Sequence, residues 1–335
     1  MSMEYNMRLT ASEIAQLWTV YMNESLSICF LKYFLNHVED REIQPVIEHS
    51  LELSQSHIPK ITELFEGEGY PIPIGFKEGQ DVDVHAPRLY SDTYMLSFIK
   101  FMSEFAMNIC SQAVATAARK DAYEFFSNCL SESNKLHNMA RQVLLSKGLY
   151  IRPPYLPVPE KPDFVKKQSF LADWFAEKRP LTGLEISDLY GNIQRNSLGE
   201  ATMIGFMQTA KSQHVQQFLG RGKEISKKHI EIFSSVMRQN DLPAPMTWDT
   251  EVSDSKTPVF SEKIMMFLTT ALISASIGYY GKGMANSFRH GLGVHYTRLS
   301  AEIAHYAEDG ANIMIDNGWL EEPPKSANRS EISKE

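Results

Sequence analysis

The sequence predicts an all-α protein of two tandem four-helix bundles. Three observations carry this: a collinear internal repeat, four long helical patterns in each copy, and a proline-spaced phrase opening a long connection at the same place in both. EGYPIPIGF, from residue 68, returns as NDLPAPMTW, from residue 240, at a shift of 172. LTASEI (Leu9 to Ile14) returns as LTGLEI (Leu181 to Ile186), and LELSQSHI (Leu51 to Ile58) as KEISKKHI (Lys223 to Ile230), which places His57 over His229. Further on the shift becomes 170: LYSD meets VFSE, Arg119 meets Arg289, Glu132 meets Glu302, and GLYIRPP meets GWLEEPP. Matches in the same order over most of each half indicate duplication of a whole domain.

Helix A starts at Thr10 or Thr182, each followed three residues later by a glutamate, Glu13 or Glu185. That is the capping-box pattern, in which the two side chains satisfy each other's backbone N–H groups. Helix B runs from about Glu42 to Glu66, stopped by Gly67, and from about Ser212 to Asn240. Helix C begins after Ser91 and Ser261, and helix D ends at Gly148 and Gly318. The A–B and C–D connections are short and make antiparallel neighbours, whereas roughly twenty residues separate B from C. PIPIGF and PAPMTW open that segment; alternate prolines forbid helix and favour an extended path, with Phe76 and Trp248 pinning it by apolar burial. A bundle with one long B–C crossover is the ferritin-like arrangement.

These signals divide the chain into a first bundle, 1–151, a proline-rich linker with a short helix, 152–180, a second bundle, 181–324, and a disordered tail, 325–335. In the linker, Trp174 and Phe175 are expected to dock on a bundle. The chain has 43% hydrophobic and 22% charged residues, ample for a globular core. Its net charge of −8 argues against general affinity for nucleic acid or an anionic membrane surface. The opening MSMEYNMRLT lacks the basic start and apolar run of a signal peptide. Ile264 to Gly281 is uncharged and of borderline membrane-spanning length, but its first-half equivalent carries Lys100 and Glu104, so it reads as a bundle helix. Cys29, Cys110 and Cys129 form no metal-type pair and read as reduced core thiols of a cytoplasmic protein.

A ferritin-like bundle invites a search for a di-metal site, which needs a Glu from two helices and Glu-x-x-His from the other two. In the first half Glu24, His57, Glu104 and Glu132 fall on or near the apolar stripes of four helices. The set is incomplete, because Ser54 and Lys135 stand where Glu-x-x-His would need its other member. In the second half His229 lacks the preceding Glu, Glu302 and His305 have the right spacing, and Asn196 stands where Glu24 stood. The reading preferred on these grounds has His and Glu satisfying each other in the core, with no cofactor. The alternative is an iron or manganese site built from Glu24, His57, Glu104 and Glu132, or from His229, Glu302 and His305. Pro59 frees the carbonyl of Gln55 and predicts a kink beside His57. GRGKE (Gly220 to Glu224) fails as a phosphate loop, GYYGKG reads as small residues for close packing, and HYAEDG as a solvated face.

APRLYSD, RPLTGLEI, FLGRGKEISKKHIEIFSSVM, AEIAHYAEDGANIMIDNGWLEEPP and the PIPIGF phrase resemble the bacterial family known as domain of unknown function 3231. The resemblance spans nearly the whole chain. It implies ferritin-like bundles and a source among spore-forming Gram-positive bacteria, where some members carry a spore-coat label. It brings no catalytic residues. Together the residues and the resemblance lead to a non-enzymatic protein with a structural or interaction role. It is expected in the cytoplasm or with the spore, associating with other coat proteins or with itself. A metal-binding protein or divergent di-iron oxidase is the competing reading.

Overall fold

The computed structural model describes residues 7–172, 179–245 and 251–329. Among the described residues are eight α-helices: α1 (Ala11–His37), α2 (Gln44–Glu68), α3 (Asp92–Thr116), α4 (Lys120–Ser146), α5 (Gly183–Thr209), α6 (Gln213–Arg238), α7 (Glu262–Asn286) and α8 (His290–Asp316). No strand occurs among them beyond two isolated bridges. The architecture is the predicted pair of four-helix sets, each with a long connection after its second helix, 69–91 and 239–261.

Local chemistry sets the helix ends. Thr10 and Thr182 both close capping boxes, and Ser212 and Ser261 cap α6 and α7. Gly148 and Gly318, at φ of 70° and 67°, follow the ends of α4 and α8. One stop differs from expectation. α2 runs one residue past Gly67, to Glu68, and is capped by Gly69, whose φ of 63° supplies the left-handed turn. α2 also passes through Pro59 as one continuous helix.

By backbone packing the chain falls into two compact units. The first comprises Met1–Val84, Ile99–Gln142 and Leu320–Glu335; the second comprises His85–Phe98 and Val143–Trp319. In the first unit, Leu17 and Val20 of α1, Ile61 and Phe65 of α2, Cys110 and Ala113 of α3, and Phe126 and Cys129 of α4 share one core. The proline phrase docks on this unit through buried Phe76, while Ile72 and Ile74 stay in solvent. Gly75 is required there: its φ is 58°, and a Cβ would lie 2.6 Å from Ser25 Oγ, the atom that accepts the Phe76 N–H. The Glu321 carboxylate accepts the N–H groups of Ile74 and Gly75.

In the second unit α5 packs on α6 and α7, and α8 on α7 and α6. α7 is long and apolar enough to cross a bilayer, yet Ile264, Met265, Leu268 and Tyr280 are buried within the bundle. In the GYYGKG run only Gly283 meets a neighbour, and it admits a ring: a Cβ there would lie 2.6 Å from Tyr296 Cζ. The later part of the first connection belongs to this unit. Ser91 N–H donates to the Glu251 carbonyl, Ser253 N–H to the Leu89 carbonyl, and Tyr90 bridges Val252 antiparallel. The Tyr90 ring stacks on Tyr94, whose hydroxyl meets Thr202 Oγ1 at 2.7 Å. The linker leaves Tyr155, Val158 and Phe164 in solvent. Trp174, Phe175 and Trp248 lie outside the described residues, as does the tail from residue 330.

The capping-box glutamates reach further than their own helices. Glu13 also accepts the N–H groups of Ala118 and Arg119, and Glu185 those of Phe288 and Arg289, so each ties the start of the first helix to the start of the fourth. Glu185 is in addition gripped by the Arg179 guanidinium through two 2.8 Å bonds. Although burial pushes its carboxyl up, Arg179 and the backbone N–H groups prevail and hold it at about 2. Because that is below the ordinary 4.5, the stabilisation is complete above about pH 4.5 and is lost as pH falls toward about 2. Glu185→Gln should cost about 3 kcal/mol at neutral pH and flatten acid unfolding in that window. Glu13→Gln, which lacks the arginine grip, should cost about 1–2 kcal/mol. Denaturant titration across pH reads both.

Candidate functional site

The buried stripe of α2 runs Val46, Ser50, Ser54, His57, Ile61, Phe65, the three-and-four spacing of one helix face. That face carries His57 into the first core, with 4% of the residue exposed. Nδ1 lies 2.6 Å from Glu24 Oε1 on α1, and Nε2 lies 2.8 Å from Glu132 Oε2 on α4. A ring that faces a carboxylate at both nitrogens donates twice, as an imidazolium does. Burial alone pushes the imidazole down, but the Glu24 and Glu132 carboxylates outweigh it and hold the group above its ordinary value. Cys129, one turn before Glu132, places its sulfur 3.6 Å from Nε2. Cys110 of α3 stands beside that thiol, and this contact together with burial pushes Cys129 up. The cluster faces a cleft of about 780 Å³, whose lining includes His57, Cys129, Glu132, Lys60 and Arg119.

The second bundle keeps the imidazole and changes its company. His229 is fully buried; its Nε2 lies 3.1 Å from Glu302 Oε2, while Nδ1 meets the Tyr280 hydroxyl of α7 at 2.8 Å. Asn196, in the place of Glu24, donates its amide to the same hydroxyl. Burial pushes His229 down; Glu302 opposes this, and the nearby Lys228 and Arg298 cations reinforce it. Lys228 Nζ, 2.5 Å from Glu302, also draws off part of that carboxylate's charge. At the repeat shift of 170, Tyr280 replaces Cys110 and Leu299 replaces Cys129. The two sites therefore shift the protonation of one ring in opposite directions.

Of the residues singled out from sequence, the structure brings together Glu24, His57 and Glu132, and separately His229 and Glu302. Glu104 lies 3.8 Å from Lys100, one turn away on its own helix. His305 points to solvent, 3.8 Å from Glu308. The buried stripe of α8 is Leu299, Ile303, Tyr306, Gly310, Ile313, and at 3.6 residues per turn His305 sits about 120° away from it. Neither constellation fits a di-iron centre, which needs more inward carboxylates and a second histidine. Sequence reasoning missed Cys110, Cys129 and Tyr280 as members. Cys129 and Glu132 do share one apolar stripe of α4, which was the available signal.

The family model described as protein of unknown function (DUF3231) matches the chain twice, over residues 2–161 and 169–332. No curated protein matches the chain. Among solved structures, a crystal structure described as a "putative spore coat protein" from Bacillus halodurans C-125 is similar at 20% identity. It covers 46% of this chain and 98% of its own, with a TM-score of 0.41.

Tyr280→Phe tests the second cluster. It leaves the buried His229 Nδ1 and the Asn196 amide short of a partner and should cost about 1–3 kcal/mol. The urea midpoint should fall with an unchanged slope.

Proposed function

The chain belongs to the DUF3231 family, in two copies, and from its buried clusters we propose that it is a structural, non-catalytic module that works through its surfaces. The observation that carries this is the saturation of both imidazoles: each ring nitrogen is committed to a side chain of another helix. Such rings act as pins between helices. The exposed Tyr155, Val158 and Phe164 on a proline-rich segment supply apolar surface of the kind used in association. The partners in this reading are other coat proteins or further copies of the chain, not nucleic acid or membrane. The place is the cytoplasm of a sporulating cell and then the spore, as the label carried by family members suggests.

The test replaces the first pin by apolar side chains. Glu24→Leu, His57→Leu and Glu132→Leu are combined and expressed in the source organism in place of the native chain. Buried ionic clusters are often replaceable by packing without loss of stability, so the triple variant should keep its helical circular dichroism, co-fractionate with spore coat material and restore the native phenotype. A folded triple variant that fails to replace the native chain overturns the structural reading. Recovery of native and variant protein only from the soluble cytoplasm overturns the spore association. The single change His57→Ala, which leaves two carboxylates facing each other, should by contrast cost about 2–4 kcal/mol, read by thermal or urea unfolding.

A further inference from the structure

We infer that the first bundle holds a mononuclear zinc-class site made by His57 Nε2, Cys129 Sγ and a Glu132 carboxylate oxygen, with solvent from the cleft in the fourth position. The three donor atoms lie within 4.8 Å of one another, and His57 and Cys129 are buried. In a tetrahedral zinc site with bonds of about 2.05 Å to nitrogen and about 2.3 Å to sulfur, the two donors stand about 3.6 Å apart. Nε2 and Sγ are 3.6 Å apart here. Nε2 and the Glu132 oxygen, at 2.8 Å, need to open by about 0.5 Å, and the Glu132 side chain is 28% exposed and free on its cleft side to do so.

Glu24 completes the arrangement. It bonds the other ring nitrogen at 2.6 Å, which is how carboxylates orient histidine ligands and fix which nitrogen meets the ion. The donor set of imidazole, thiolate and carboxylate suits a borderline-soft divalent ion, whereas manganese and magnesium prefer oxygen alone. The cleft lined by His57, Cys129 and Glu132 gives the ion a way in and leaves three protein ligands with one open position. The second bundle supplies the internal contrast. With Leu299 at the thiol position and Lys228 on Glu302, it lacks the set, so one ion per chain is expected. Binding releases two protons to solvent, the one that otherwise bridges His57 and Glu132 and that of the Cys129 thiol, and the site goes beyond the structural reading without depending on it.

The experiment uses the full-length protein, reduced and stripped with a chelator, titrated with Co²⁺ as a spectroscopic stand-in and then with Zn²⁺. One Co²⁺ should bind per chain, with a near-ultraviolet thiolate-to-cobalt charge-transfer band that Zn²⁺ abolishes. Cys129→Ser, close in size to the parent, should lose the band, and Cys110→Ala should keep it. Glu24→Gln should weaken Zn²⁺ affinity about 10- to 100-fold while the band remains reachable at higher Co²⁺. Absence of a band in the native protein overturns the site, as does its survival in Cys129→Ser or its loss in Cys110→Ala. Because binding is read on purified protein, its failure leaves the spore-replacement experiment untouched.

Discussion

A ring with two nitrogens, placed among apolar side chains, must have both satisfied, and everything around His57 follows from that demand. An unpaired polar atom in such a place costs on the order of 1–3 kcal/mol, and a charged one more. α2 carries the ring, α1 supplies Glu24 and α4 supplies Glu132. A slip of any one helix by a turn, about 5.4 Å, would strand the ring. Apolar packing alone tolerates such slips more readily, since Leu and Phe accept many neighbours. The imidazole thus specifies register where the apolar contacts supply most of the cohesion.

The duplicated copy shows how the same demand is met with less charge. His229 is deeper, its second partner is a phenol instead of a carboxylate, and cations stand near. Burial wins there, and the ring is held below its ordinary value, whereas two carboxylates win around His57. The same repeat position favours the imidazolium in one bundle and disfavours it in the other. Read across the repeat, Asn196 stands for Glu24 and Tyr280 for Cys110, and the cations Lys228 and Arg298 stand where the first bundle has Ser56 and Asn128.

Much of this was legible in the residues. Helix starts at Thr10 and Thr182 could be read because a capping box is a local interaction, and the repeat allowed each copy to check the other. His57, Glu24 and Glu132 could be read because periodicity places them on inward faces. His305 faces solvent because spacing of three or four residues defines a relative angle, while the centre of the buried stripe is set by packing. Cys129 and Tyr280 were hidden by their resemblance to ordinary core residues. The pairing of Leu89 to Ser91 with Glu251 to Ser253 left no trace, since extended segments meet through tertiary placement alone.

Residues 85–98 and 320–335 each fall in the compact unit opposite to most of their own repeat, and the single helix α3 contributes to both. Tandem duplication ordinarily makes beads that can be unstrung, with the linker as a harmless place to cut. Here neither half of the gene encodes all of either unit. A truncation or nick between the repeats would yield two incomplete products instead of two small proteins, so the copies can no longer be inherited apart.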